Sequence, residues 1–245
     1  MNSALLIVAA GKSSRFGGYP KALCNVGSKM NVENTIEYAS KVFDSIYLGL
    51  NVETVAKYSD LKINGKILSI ETGQGDALSL IKLVRLVLQD NANIDKLFVC
   101  WGDAFFVDEL PFVELMNQIN DNDYYVACSV DEKPYAWFDV DEDNNVISSH
   151  FKKIDGEIEE GIHDQSLFCF SPNELMKYID EYRLSIGVMS EDYDENEPKE
   201  VKLLDLFNYL YKIDKPVKVA LISKNKVLSF NTTEELDKII GEYCD

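Results

Sequence analysis

Residues 5–23 read LLIVAAGKSSRFGGYPKAL and decide how the chain begins to fold. The first six residues are apolar and include Ile and Val, which is typical of a buried strand, and Gly11 ends the run. Lys12, Arg15 and Lys21 follow closely, although the whole chain has 24 Lys and Arg against 42 Asp and Glu. We therefore predict a buried first strand that leads into a loop able to bind a small anion.

The spacing of this loop excludes two well-known classes of phosphate loop. A Walker A loop needs a glycine five residues before Gly11, and that position is Leu6. A dinucleotide fingerprint that starts at Gly11 needs a second glycine where the sequence has Ser13. The anion is therefore held by a loop of another kind.

The composition is that of an acidic globular protein. The 245 residues are 46% apolar, which is enough for a substantial core, and the formal net charge is -18. This charge repels nucleic acid and anionic membrane surfaces, so we expect neither as a partner. The N-terminus lacks the basic region of a signal peptide, and we expect a cytoplasmic location. An odd number of cysteines without close pairs agrees with a reducing compartment, and we interpret them as core residues: Cys24, Cys100, Cys128, Cys169 and Cys244.

Short β-rich runs alternate with helical patterns up to about residue 130. This alternation is typical of βαβ units, in which helices cover both faces of a parallel sheet. The Asp-Asn-Asn turn at residues 143–145 lies between two extended runs and predicts a hairpin. We predict an α/β fold: a three-layer α/β/α sandwich with a Rossmann-like, mostly parallel mixed sheet and an inserted antiparallel hairpin portion. The pattern shows no clear boundary, so we expect one domain over residues 1–245.

The first loop resembles the signature loop of the nucleotidyltransferases with a GT-A-like fold. This group includes the sugar-1-phosphate, phosphocholine and methylerythritol-phosphate nucleotidylyltransferases, whose pattern is approximately (L/V)-A-A-G-x-(G/S)-x-R-(x)n-P-K. The resemblance implies catalytic roles for Arg15 and Lys21, since a guanidinium and an ammonium group both hold phosphate oxygens. It also implies a set of nucleotide-binding residues with bare or small side chains and one cation: Val8, Ala9, Ala10, Gly11 and Lys12.

The stretch ETGQGDALSL resembles the family's second loop, which holds the nucleotide base in front of a helix. The resemblance implies that Gly73, Gln74 and Gly75 bind the base, with Gln74 reaching a pyrimidine edge. Asp76 is either the N-cap of the following helix or part of this site.

Two stretches resemble the metal-binding elements of the family, which implies Mg²⁺ as a cofactor. In LFVCWGDAFF an apolar strand ends in Gly-Asp, so the carboxylate of Asp103 stands at the carboxyl edge of the sheet. In LSFNTTEELDKI the last strand ends at Asn231, the implied second ligand. Thr232 or Thr233 is then expected to cap the following helix.

The acceptor side resembles the family less closely. DVDEDNNVISSHFKK is similar to a hairpin that ends in a phosphate-contacting lysine, which implies Lys153, although the family's flanking Glu and Pro are absent. Trp137 stands where sugar-type members carry a Tyr-Gly pair, and Asp164 and Gln165 fall in the acceptor-binding segment.

Three further features are interpreted as ordinary loops. His150 and His163 lack the spacing of metal ligands. The acidic stretch SEDYDENEPKE, residues 190–200, is interpreted as a solvated loop.

The expected activity is therefore transfer of CMP or UMP from CTP or UTP to a small phosphorylated metabolite, with release of pyrophosphate. The acceptor is a sugar 1-phosphate, an amino-alcohol phosphate or an amino-acid phosphate, for surface-polysaccharide or cell-envelope precursors. The nucleotide-binding half would be about 1–130 and the acceptor-binding half about 131–245, and a homodimer is compatible with the resemblance. Two alternatives stay open: a GT-A glycosyltransferase, which would need an Asp-x-Asp motif, and a non-catalytic nucleotide-binding protein.

Overall fold

The computed structural model describes residues 2–11, 13, 16, 18–73, 75–120, 124–196, 199–230 and 232–243. Over these residues the helices are α1 (Asn31–Ala39), α2 (Val52–Lys57), α3 (Asp76–Asp90), α4 (Leu110–Gln118), α5 (Lys152–Asp155), α6 (Pro172–Ser185), α7 (Leu203–Lys212) and α8 (Thr233–Tyr243). The strands are β1 (Ser3–Ala9), β2 (Asn25–Val26), β3 (Lys29–Met30), β4 (Ile46–Asn51), β5 (Lys66–Ile70), β6 (Lys96–Trp101), β7 (Ala104–Phe106), β8 (Tyr124–Glu132), β9 (Ala136–Val140), β10 (Val146–Phe151), β11 (Glu160–Phe170), β12 (Val217–Leu221) and β13 (Val227–Ser229). None of these helices combines the length and the apolar character needed to span a bilayer.

The main sheet is mixed and mostly parallel, as the alternation of patterns predicts. In the described part of the chain it contains nine strands. β5, β4, β1 and β6 are neighbours in that order and run parallel. β11 is antiparallel to both β6 and β8, and β12 is parallel to β8. Of these strands β11 alone runs in the opposite direction, so the carboxyl ends of the others meet at one edge.

The predicted hairpin is confirmed. It adds two strands to the sheet, beside the part of β11 that lies beyond the end of β6. β9 and β10 pair antiparallel, and β9 joins β11 through Phe138 and Ile162. The carboxylate of Asp141 accepts hydrogen bonds from the backbone N–H groups of Asp143 and Asn145, at 3.0 and 2.9 Å. This closes the turn that the Asp-Asn-Asn sequence predicts.

The alternation of side chains along β1 explains why helices cover both faces of the sheet. Leu5 and Ile7 pack into a core cluster with α1 and α4, whereas Leu6 and Val8 pack into a second cluster with α3, α6 and α7. Successive side chains of a strand point to opposite faces, so a continuous apolar run needs a helical layer on each side. Burial of each such leucine or isoleucine contributes about 1.5–3 kcal/mol. The three-layer prediction is confirmed.

One local interpretation was wrong and another holds only in part. His150 and His163 lie on strands and not in loops. His150 belongs to β10, the second strand of the hairpin. His163 belongs to β11, which begins at Glu160 and pairs with β8 several residues earlier in the chain than the sequence pattern suggests. The acidic stretch at residues 190–200 is mostly exposed, but it is not simply solvated. Its Glu191 and Asp192 form ion pairs with basic side chains of α3.

The described cysteines are core residues, as expected. Cys24, Cys100, Cys128 and Cys169 are free thiols with buried side chains. Cys244 lies outside the described residues. Burial raises the pKa of Cys24 to about 11 and that of Cys169 to about 12, which favours the protonated thiol at neutral pH.

Candidate active site

Lys21 and Asp103 form an ion pair although 82 residues separate them. Nζ of Lys21 lies 2.8 Å from Oδ2 of Asp103, and the side chains are only 14% and 30% exposed. Water therefore screens the pair weakly. Lys21 begins a 3-10 turn, Lys21–Leu23, whose Ala22 and Leu23 are buried, and Pro20 precedes the turn with a φ of -64°. The turn thus anchors the backbone from which the lysine side chain extends.

The backbone around Asp103 is held from two sides. The N–H of Gly102 donates to the carbonyl of Val8 at 2.8 Å, and a Cβ on Gly102 would lie 2.6 Å from Cβ of Ala9. Nδ2 of Asn31 donates to the carbonyl oxygens of Gly102 and Ala104, at 3.1 and 3.0 Å, on either side of Asp103. Asn31 is buried, and sequence reasoning missed it because an asparagine at the start of an amphipathic helix carries no such signal.

The loop after β1 is held by side chains of the two neighbouring strand ends. Oγ1 of Thr72 donates to the carbonyl of Ala10 at 3.0 Å, and Nδ2 of Asn51 donates to the carbonyl of Gly11 at 3.3 Å. A Cβ on Gly11 would meet no atom within 4 Å in the described structure, so the backbone there is open to a ligand. Val8 and Ala10 are buried, and Ala9 ends β1 beside them. The sequence offered no signal for Asn51 or Thr72.

Gly73 and Gly75 are both required by close packing. A Cβ on Gly73 would lie 2.6 Å from the backbone of Leu78, and one on Gly75 would lie 2.4 Å from the carbonyl oxygen of Val201. Gly75 also has a φ of 98°, which disfavours other residues. Oγ of Ser79 accepts a hydrogen bond from the N–H of Gly73 at 3.0 Å. Their expected contact with a nucleotide base stays a prediction.

Asp76 caps a different helix from the one predicted. Gly75 is the N-cap of α3, and Oδ1 of Asp76 accepts a hydrogen bond from the N–H of Leu203, the first residue of α7, at 2.8 Å. Although part of Asp76 is exposed, the protein around its carboxyl group displaces water and raises its pKa to about 6. The N–H groups of Leu203 and Ala77 act in the opposite direction. The carboxylate therefore joins the N-termini of α3 and α7.

The structure brings Asp164 close to Asp103. In the antiparallel pairing of β11 with β6, Leu167 lies opposite Cys100. Asp164 is three residues before Leu167 and Asp103 is three residues after Cys100, so both lie just beyond the paired residues, where β11 forms a bulge between Asp164 and Phe168. Burial raises the pKa of Asp164, and the negative charge of Asp103 adds to the rise. Lys21, Asp103 and Asp164 thus form one charged cluster at the carboxyl edge of β6.

The other predicted acceptor residues differ in their surroundings. Nε2 of Gln165 donates to Oδ2 of Asp131 at 3.1 Å, and the Gln165 side chain is buried. Trp137 is buried on β9 and its ring stacks on His150, with centroids 5.4 Å apart and an interplanar angle of 15°. Lys153 is exposed on α5 and forms no ion pair with any residue in the described ranges. Gln165 would first have to lose its hydrogen bond, and Trp137 its ring stack, to contact a ligand, whereas Lys153 would lose neither kind of contact.

Four predicted site residues lie outside the described residues: Lys12, Arg15, Gln74 and Asn231. The last of these follows β13, whose Ser229 pairs with Ala104 in a small antiparallel sheet with β7. The chain that leads to position 231 therefore lies beside the residue that follows Asp103. After it, Oγ1 of Thr232 accepts from the N–H of Glu235 and the Glu235 carboxylate accepts from the N–H of Thr232, at 3.2 and 3.1 Å. The predicted cap of α8 by threonine is confirmed as a capping box.

Comparison with known proteins places this chain in a known family. The model of the MobA-like NTP transferase domain matches residues 5–187. Similar solved structures include HddC from Yersinia pseudotuberculosis, with 16% identity, coverage of 99% of this chain and 100% of that chain, and a TM-score of 0.68. CTP:phosphocholine cytidylyltransferase from Streptococcus pneumoniae has 16% identity, coverage of 98% and 99%, and a TM-score of 0.69. 4-Diphosphocytidyl-2C-methyl-D-erythritol synthase from Anaerococcus prevotii has 17% identity, coverage of 98% and 97%, and a TM-score of 0.64. No curated protein sequence matches, and at these identities the structural likeness shows a shared fold.

Proposed function

Because this chain belongs to the MobA-like NTP transferase domain family, we propose that it is a Mg²⁺-dependent nucleotidyltransferase. It transfers a nucleoside monophosphate from an NTP to a small phosphorylated metabolite and releases pyrophosphate. CTP is the preferred donor, followed by UTP, and the product serves surface-polysaccharide or cell-envelope precursor synthesis. The observation that carries the proposal is the ion pair between Lys21 and Asp103 at the carboxyl edge of β1 and β6, where α/β sheets bind their ligands.

In the reaction an oxygen of the acceptor phosphate attacks the α-phosphorus of the NTP. The new oxygen–phosphorus bond forms as the bond between the α-phosphorus and the bridging oxygen of pyrophosphate breaks. A phosphate monoester is an anion near pH 7, because its second pKa is about 6, so the step needs no general base. The enzyme must mainly hold several repelling anions in line.

Lys21 would offset the repulsion between the acceptor phosphate and the α-phosphate. Its ammonium group is mostly shielded from water, and an opposing charge acts more strongly in such a site than in bulk solvent. Asp103 holds this group in place through the 2.8 Å contact. Arg15 and Lys12 would contact the pyrophosphate, and the backbone amides at Gly11 would contact the phosphates.

The residues around Asp103 fit Mg²⁺. Carboxylate oxygens are the hard ligands that this ion prefers, and the carboxyl group of Asp164 lies near enough to Asp103 for the charge of Asp103 to raise its pKa. Within the described ranges no cluster of three or more His, Cys, Asp or Glu side chains could hold a metal, so phosphate oxygens and water would complete the shell. Asp103 and Asn231 would hold the ion. When bound, Mg²⁺ would neutralise part of the charge on the phosphates.

Base and acceptor recognition follow the sequence-based assignments. Gly73, Gln74 and Gly75 would bind the base. Lys153 would contact the acceptor phosphate, and the remaining acceptor candidates are Trp137, Asp164 and Gln165. The Streptococcus pneumoniae neighbour is a CTP:phosphocholine cytidylyltransferase, which supports a cytidine donor and a small phosphorylated acceptor.

The test is a matrix of the four NTPs against a panel of sugar 1-phosphates, amino-alcohol phosphates and amino-acid phosphates, with Mg²⁺. Pyrophosphate release is monitored, and the Lys21→Ala variant serves as the blank. With at least one pair, pyrophosphate release should rise in proportion to the concentration of wild-type enzyme. Mass spectrometry should then detect the nucleotide conjugate. No release above the Lys21→Ala level in any pair would overturn the proposal.

A further inference from the structure

A cavity of about 660 Å³ lies at the carboxyl ends of β1, β4 and β5. Gly11, Asn51 and Thr72 each contribute the residue at or just after one of these strand ends. Its volume falls in the range of small-molecule sites, and its place is the edge where α/β sheets bind ligands. The cavity borders the signature loop on the side away from β6, the strand that precedes Asp103.

The outer wall of this cavity comes from a distant part of the chain. Residues 190–193, which we call the outer segment, contribute Asp192 and Tyr193 to the lining. Asp192 forms an antiparallel bridge with Gly73, and the N–H of Tyr193 donates to the carbonyl of Thr72 at 3.3 Å. The outer segment therefore lies along the loop that follows β5, like an added strand.

Two basic residues of α3 hold the outer segment in place. The guanidinium group of Arg85 binds both carboxylate oxygens of Glu191, with Nη2 at 2.7 Å from Oε1. Nζ of Lys82 lies 2.8 Å from Oδ1 of Asp192 and donates to the carbonyl of Glu71 at 3.2 Å. A bidentate arginine–carboxylate pair fixes geometry as well as charge. The segment is thus attached to the helix that begins at the second family loop.

The charges of the lining indicate which end of a nucleotide the cavity can take. Glu53 and Glu71 carry carboxylates, Asp192 adds one that is paired with Lys82, and Lys57 is the basic residue among the described lining residues. Such a surface repels a triphosphate, whereas carboxylate oxygens accept hydrogen bonds from amino groups. Tyr193 adds an aromatic ring, on which a base can stack. The side of the cavity that the outer segment lines therefore suits a base, and the phosphates would lie toward Gly11.

We infer that the outer segment is the outer wall of the donor-base pocket and that this pocket selects bases with an exocyclic amino group, such as cytosine, over uracil. The inference rests on the proposed function for the identity of the donor as an NTP. Arg85 and Glu191 are positioning residues for the wall, and Tyr193 contacts the base. Uracil presents a carbonyl oxygen at the position where cytosine presents its amino group, so the carboxylates disfavour it.

The test measures CTP and UTP binding by calorimetry with Mg²⁺, and turnover by pyrophosphate release. Wild-type protein should bind CTP at least about tenfold more tightly than UTP. Glu191→Gln should weaken CTP binding by about tenfold, with kcat and the acceptor KM changed by less than about twofold, since only the wall is loosened. Tyr193→Ala should weaken CTP binding similarly, and Tyr193→Phe should restore it because the ring is kept. The control is Glu109→Gln, which breaks an exposed ion pair with Lys41 on another face.

The two levels of the proposal can fail separately. Normal turnover with unchanged CTP affinity in Glu191→Gln and Tyr193→Ala would overturn the assignment of the outer segment as a pocket wall. Equal or better use of UTP by the wild-type protein would overturn the base selection. In both cases the nucleotidyltransferase function would stand. CTP binding that weakens in these variants without any turnover in the wild type would support the pocket and overturn the function. Absence of both binding and turnover with any NTP would overturn both.

Discussion

Nζ of Lys21 lies 2.8 Å from the carboxylate of Asp103, and the two residues follow neighbouring parallel strands. Lys21 stands beyond the loop after β1, and Asp103 stands directly after β6. Because β1 and β6 pair in parallel, both loops leave the same edge of the sheet. A cation for phosphates and a carboxylate for a metal ion thereby share one site.

Loss of either predicted catalytic cation should abolish most activity and leave the fold intact. Lys21→Ala and Arg15→Ala should each lower kcat/KM by about 100-fold or more, since removal of one charged group that stabilises a transition state costs this much. The measurement is pyrophosphate release, with circular dichroism to check folding. Lys41→Ala, which removes an exposed ion pair with Glu109, is the control. Near-normal rates in a folded Lys21→Ala protein would contradict its role.

Gly11 and Gly73 should respond differently to the same added methyl group. Gly11→Ala has free space in the described structure, so its stability should stay unchanged while CTP binding weakens by about tenfold or more, because the methyl group occupies the ligand's approach. Gly73→Ala forces a contact with the backbone of Leu78 and should lose about 1–3 kcal/mol of stability. Urea unfolding and calorimetry separate the two effects. Undiminished CTP binding in Gly11→Ala would show that no ligand approaches there.

Asn31 should act on catalysis through the backbone of Asp103. Asn31→Ala leaves the carbonyls of Gly102 and Ala104 without their donor, so it should cost about 1–3 kcal/mol of stability and reduce kcat more than it raises the KM for the NTP. The matched control is Asn34→Ala on the same helix, whose Nδ2 donates to the carbonyl of Phe106 at 2.7 Å. Both variants lose stability, but a kcat loss of equal size in both would show that Asn31 has a structural role only.

Asp76 should make the protein less stable as the pH rises from about 4 to about 6. Its pKa is about 6 in the folded protein, against 3.8 as the ordinary value, so the folded state binds more protons in this range. Stability is then lost as the carboxyl group ionises, and the loss is complete about one pH unit above this pKa. Asp76→Asn keeps an acceptor for Leu203 without a charge, so its stability relative to the wild type should increase from pH 4 to pH 7. Urea unfolding at both pH values measures this, and a pH-independent difference would contradict it.

The buried thiols should be inert in the folded protein. In a Cys244→Ser variant, the four described cysteines should not react with a thiol reagent at pH 8, because burial raises their pKa and blocks access. All four should react rapidly in urea. Rapid reaction of any of them without denaturant would contradict their assignment to the core.

The sequence by itself determined the elements whose signals are local. The apolar run at β1, the Gly-Asp end of β6 and the capped start of α8 are each specified by neighbouring residues, since period, capping chemistry and turn chemistry act over a few positions. The order of these elements, together with the signature loop, also indicated the site that contains Lys21 and Asp103. Local pattern was enough to predict the α/β architecture.

Only the tertiary structure decided how distant segments meet at this site. Asp164 comes near Asp103 because β11 pairs with β6, and Asn31 reaches both sides of Asp103 from α1. The outer segment, which reads as a solvated acidic loop, is held at the cavity by Arg85, about 100 residues earlier in the chain. Such pairings depend on strand register and on contacts between remote charges, and no local sequence pattern encodes either of them.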